Sequence, residues 1–186
     1  MSKRFPIPEF DRDQYKNMAW EPPKLLSEAE QAQLVARAAS GDASAYGCYP
    51  VAASEALFER FAVRGPNAHA VLCLLPPKGV RVLGRSWAWQ IQRAVVIDSL
   101  DPAKARVLQE WKTPRPMNTR LGPDNGVELP GGPVYALFGH LYGKHWIPNR
   151  TMRDTRVPGG KGFAVISSSD ESNNDFHACN LTFSWA

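Results

Sequence analysis

Long apolar runs are missing from this chain. None approaches the roughly 20 residues that a helix needs to cross a bilayer, so no membrane partner is expected. Met1–Trp20 carries charges but no apolar stretch of the kind found in a secretory signal. Cysteine is scarce, with 3 in 186 residues. An odd number of thiols without an export signal points to a reducing, cytoplasmic setting. Neither sign of charge dominates: 22 Lys+Arg against 18 Asp+Glu leave a net charge of +4. No internal repeat is present, and the near-average composition excludes collagen, coiled coil and wholesale disorder. The length suits a single domain with a core of its own.

Proline is plentiful, and it punctuates the chain. Residues 1–24 combine Pro6, Pro8, Pro22 and Pro23 with alternating charges and a few aromatics. Proline fixes φ and removes a backbone donor, so this stretch reads as an extended arm that lies on its own domain or docks on a neighbouring one. Ser27-Glu28-Ala29-Glu30 is a capping-box pattern, predicting a helix to about Ser40 that stops at Gly41, with Ala32, Val35 and Ala39 on its apolar face. A second helix is expected to begin near Pro50, a residue suited to a first turn, and to bury Leu57, Phe58 and Phe61 before Gly65-Pro66.

Strand patterns follow. Ala68–Leu75 is continuously apolar, Val80–Leu83 is short, and Trp87–Ile97 alternates, with Trp87 and Trp89 read as core aromatics. Arg106–Trp111 is a further strand, and Val134–Trp146 a long one with a bend at Gly139 or Gly143. Phe163–Ser168 and Phe176–Trp185 read as a closing hairpin around the polar turn Asp170–Asp175. Thr113–Pro133 and Pro148–Lys161, rich in proline and glycine, read as long irregular loops of the sort that often bind ligands. Helices first and strands afterwards give an α+β class, mostly antiparallel β, a sandwich or barrel-like sheet with two N-terminal helices over residues 25–186.

Three groups of residues are candidates for chemistry. Cys48, placed just ahead of the expected second helix, would feel the positive end of its dipole, which favours a thiolate. His140, on a strand, is the natural base for such a nucleophile. This pair describes a small cysteine hydrolase of amidase or peptidase type, set against a plainly structural, buried cysteine. His177 and Cys179 share a strand face, but two ligands do not close a zinc site and no second clip is present, so neither a metal nor any cofactor is expected. Gly159-Gly160-Lys161-Gly162 lacks the spacing of a phosphate loop and reads as a turn.

The third group is basic. Lys144, Arg150, Arg153, Arg156 and Lys161 stand against one acid, Asp154, so this short stretch alone carries +4. Lys112, Arg115 and Arg120 precede it. Converging loops would make a patch for phosphate or carboxylate groups, with Tyr142, His145 and Trp146 as stacking surfaces. The bland alternative is a solvated loop paired with Asp170, Glu171 and Asp175.

The favoured reading is a non-enzymatic binding or assembly subunit that docks on a protein partner or a second copy through the arm and the basic loops. The cysteine hydrolase is the first alternative. A nucleic-acid or other polyanion-binding module built on residues 144–161 is the second.

Overall fold

A computed structural model describes residues 24–61, 69–88, 90–113, 119–123, 125–142, 144–156, 162–169 and 178–185. Most of the expected arm, together with Arg115, Lys161, His177, Trp89 and the turn 170–175, lies outside them.

Helix α1 (Glu28–Ala39) begins as its sequence dictates. The Ser27 hydroxyl accepts from Glu30 N at 3.2 Å and the Glu30 carboxylate accepts from Ser27 N at 2.7 Å, satisfying two of the donors that a helix start leaves open. The Ser27 backbone N–H, and after it the Ser27 side chain, hold the Glu30 carboxyl below its usual range. Ser40 caps the end and Gly41 follows at φ 85°, a left-handed conformation that glycine adopts without a Cβ clash. The buried side of α1 runs through Leu34, Val35 and Ala38, not Ala32 and Ala39.

The second N-terminal helix is not where proline placed it. Pro50 belongs to strand β1 (Gly47–Val51), and only the six-residue helical segment α2 (Glu55–Arg60) follows, capped by Ser54. Proline is tolerated on an edge strand when its missing N–H would face away from the ladder. That is the case here, since the Pro50 carbonyl points away from the sheet and accepts from Leu26 N at 3.0 Å. Among the described residues there is one full helix.

The strands that follow are β2 (Ala70–Leu74), β3 (Val80–Ser86), β4 (Gln92–Ile97), β5 (Val107–Lys112), β6 (Thr119–Leu121) and β7 (Val127–Leu129). After them come β8 (Pro133–Tyr142), β9 (His145–Pro148), β10 (Arg150–Arg156), β11 (Gly162–Ser169) and β12 (Cys179–Trp185). Two antiparallel sheets result. One runs β1-β2-β8-β4-β5, with β9 also on β8; the other runs β10-β11-β12-β3-β6, with β7 also on β3. Neither closes into a barrel.

Period-2 alternation sorts the side chains into two cores. Val71, Cys73, Ala94, Val96, Ala136 and Phe138 of the first sheet meet Val82, Ala164, Ile166, Leu181 and Phe183 of the second. Leu72, Leu74, Val95, Ile97 and Leu137, on the outer face of the first sheet, pack under the helices with Leu57, Phe58 and Phe61. The order is therefore helices, sheet, sheet. Residues 150–156, expected within a loop, form the edge strand β10, which pairs along its whole length with β11. The expected long strand 134–146 is a hairpin of β8 and β9. Trp87, expected in the core, is 44% exposed.

Phe183 is fully buried between the sheets. Phe183→Ala is expected to lower stability by about 3–5 kcal/mol. Chemical denaturation checks this as a fall in midpoint at unchanged slope.

Candidate functional site

Register brings five connections to one end of the sandwich. These are the links β3–β4, β5–β6, β8–β9, β9–β10 and β11–β12, flanked by Ser86, Gln92, Lys112, His140, Ser169 and Ala178. At this end the interior changes character. Along β8 the inward positions run Val134, Ala136, Phe138 and then His140; along β4 they run Val96, Ala94 and then Gln92. Both polar residues are buried.

They meet at Asn149, where the chain leaves β9 in the first sheet and enters β10 in the second. The Asn149 backbone N–H donates to Phe138 O at 3.0 Å. Its Oδ1 lies 2.7 Å from His140 Nδ1, and its Nδ2 donates to Gln92 Oε1 at 2.8 Å and to Ser168 Oγ at 3.0 Å. The Ser168 hydroxyl donates onward to Cys179 O at 2.6 Å. With both amide hydrogens engaged, Oδ1 is an acceptor, so His140 Nδ1 is the donor of this contact. His140 remains only 6% exposed.

Trp87 stands at the same end. Ala178 O accepts from both Trp87 N (3.2 Å) and Ser86 Oγ (2.7 Å), which fixes the backbone below the exposed indole.

The expected catalytic pair is not assembled. Cys48 faces Cys73 on β2, and Cys73 faces Val134 on β8. His140 lies six residues farther along β8, about 20 Å away at strand rise. Cys48 sits in a strand, 1% exposed, instead of at a helix start. Burial, together with the neighbouring Cys48, pushes the Cys73 thiol up, the reverse of activation. Among the described residues no three His, Cys, Asp or Glu side chains gather as a metal site.

The basic positions are spread out. Arg150, Arg153 and Arg156 are strung along β10, whose ends are about 20 Å apart. Arg120, on β6, is at the opposite edge of that sheet, four strand spacings or about 19 Å away. Lys112 ends the edge strand β5, its ammonium 3.6 Å from Glu110, and Lys144 is exposed in the β8–β9 turn. Lys112, Arg120, Lys144 and Arg150 thus share the loop-bearing end but occupy different strands, while Arg156 belongs to the other end. Trp146, expected as a stacking surface, lies under Arg93, whose guanidinium carbon is 5.7 Å from the ring centroid. Arg93 also pairs with Glu110 at 2.9 Å and donates to Phe61 O.

The sequence reading missed Asn149, Gln92 and Ser168. The signal available was a polar residue ending an otherwise apolar strand face, at Gln92 and at His140.

No family model matches this chain, and no curated protein matches its sequence. Solved structures do. The C-terminal domain of the BC2L-C lectin from Burkholderia cenocepacia superposes with a TM-score of 0.50 at 20% identity, covering 60% of this chain and 91% of that one. The Chromobacterium violaceum lectin CV2L, in complex with alpha-methyl-fucoside, gives 0.45 at 15%, covering 60% and 92%. A high-affinity mannose-binding lectin from Ralstonia solanacearum gives 0.42 at 16%, covering 60% and 92%. The first of these likenesses shows a shared fold. No helix among the described residues is long and apolar enough to cross a membrane.

Asn149→Ala removes three side-chain hydrogen bonds and takes a partner from each of the buried residues His140, Gln92 and Ser168. It is expected to cost about 2–5 kcal/mol, against less than about 0.5 kcal/mol for Lys144→Ala, both measured by chemical denaturation. In the native protein Cys48, Cys73 and Cys179 should react with iodoacetamide far more slowly than a small thiol, and at its rate once unfolded. A fast native reaction at Cys48 would restore the nucleophile reading.

Proposed function

We propose that this chain is a non-enzymatic binding domain for a neutral carbohydrate, which docks against Trp87 at the loop-bearing end of the sandwich. The observation that carries the reading is the exposed indole mounted on a hydrogen-bonded backbone at the same end as a hydrogen-bonded polar network. An indole face suits the apolar C–H face of a sugar ring. The amide, imidazole and hydroxyl groups of Asn149, Gln92, His140 and Ser168 tie together the strand ends from which that end is built. The fold adds support by analogy, being one that a lectin uses.

In the same reading the arm 1–24 and the basic positions Lys112, Lys144 and Arg150 serve docking on a protein partner or a second copy, and no bond is made or broken. The dispersal of the basic positions favours a neutral ligand over a polyanion, whose binding depends on clustered phosphate contacts.

The test is retention on mannose- and fucose-bearing resins, with elution by the free sugar, in buffers with and without divalent cations. Trp87→Ala should weaken binding about tenfold or more while leaving the melting temperature in place, because the side chain is exposed. No retention on either resin, or retention on heparin alone that falls with salt, would overturn the proposal; the second result would establish the polyanion reading instead.

A further inference from the structure

Cys48 and Cys73 are directly opposite in the antiparallel pair of β1 and β2, and their sulfurs are 3.7 Å apart. The kind of pair they form follows from Pro50. Its carbonyl faces away from β2 toward Leu26, so Pro50 and its partner Val71 exchange no ladder hydrogen bonds. Ladder bonding alternates along an antiparallel pair, so Cys48 and Cys73, two positions on, form a non-hydrogen-bonded pair as well. At such positions the Cα atoms approach to about 4.5 Å with the side chains turned toward each other, inside the range of about 4.4–6.8 Å that a disulfide spans. Both side chains point into the core between the sheets, and no backbone movement is needed to aim them. Both sulfurs are thiols in this structure. Cys179, the third, lies on β12 in the facing sheet, opposite Ser86 at the loop-bearing end, whereas Cys73 is opposite Val134 toward the other end.

We infer that Cys48 and Cys73 are a cross-strand redox pair, closed to a disulfide by thiol–disulfide exchange with a small disulfide such as oxidised glutathione, and that Cys179 takes no part. Cys48, buried but on the edge strand, is the entry point when β1 is open, as it is during refolding. Its thiolate attacks one sulfur of the oxidant, forming a mixed disulfide and releasing one glutathione thiolate, which takes up a proton. The Cys73 thiolate then attacks the Cys48 sulfur and expels the second glutathione. Two protein S–H bonds are lost and one S–S bond is formed, while the oxidant gains two electrons and becomes two thiols. The resulting link ties the edge strand β1 to β2. In a reducing compartment the pair stays as two thiols; in an oxidising one it closes. This inference is independent of the sugar-binding proposal.

The test oxidises the full chain with glutathione disulfide in two ways, once native and once during refolding in a glutathione redox buffer, so that burial does not limit access. Remaining thiols are then alkylated in denaturant and the protein is mass-mapped. The expected product is about 2 Da lighter than the three-thiol form before labelling, and after it contains a Cys48–Cys73 cross-linked peptide with label at Cys179 alone; the cross-link reverts with dithiothreitol. Cys179→Ala should keep the mass loss and Cys48→Ala should abolish it. Formation in either arm supports the inference. Three labelled cysteines in both arms, a persistent glutathione adduct, or a cross-link through Cys179 would overturn it.

Discussion

The side-chain amide of Asn149 is the constraint on which the loop-bearing end depends. A sandwich chain that changes sheets must expose backbone and polar groups to the interior at the crossing point, and an unpaired buried polar group costs about 1–3 kcal/mol. Asn149 meets that demand at one residue. It sits at the crossing, donates twice, accepts once, and joins β4 and β8 of one sheet to β11 of the other. The network continues to the β12 backbone through Ser168. The end of the sandwich is therefore sealed by directional bonds, while the other layers are held by apolar burial.

That division of labour explains how the end can carry function. Apolar packing tolerates small slips, but a satisfied polar network has one low-energy arrangement. The connections that leave from Ser86, Gln92, His140, Asn149 and Ser168 therefore start from fixed points. The same network engages His140 through Nδ1, which makes it a supporting group in this structure. A histidine base would instead need a nucleophile within reach, and the nearest candidate in the sequence, Cys48, belongs to the far end of β8's neighbourhood.

Much of the fold was legible because single elements announced themselves. The capping box of Ser27 and Glu30 and the apolar run at 70–74 each depend on neighbours in sequence. The closing pair β11 and β12 was likewise visible as two apolar stretches around a polar turn. Positions 150–156 were not, because an edge strand accepts charged residues freely and so shows no apolar alternation. Pro50 misled for a related reason: at an edge it reads the same as at a helix start. The site was the least legible part, since Gln92, His140, Asn149 and Ser168 are brought together only by the register of two sheets. The one trace in the sequence was a polar side chain where the apolar face of β4 and β8 should have continued.

The seating of Pro50 beneath Leu26 has one more consequence. A free sheet edge is a template for strand addition by another chain, and natural proteins blunt such edges. On β1 the proline has no N–H to offer, and its carbonyl is already taken by the segment that leads into α1. Growth of the first sheet from that side is thereby blocked at its middle. Copies of this chain that associate by extending the first sheet would have to do so from its other edge, at β5, where Val107 and Lys112 stand open to solvent.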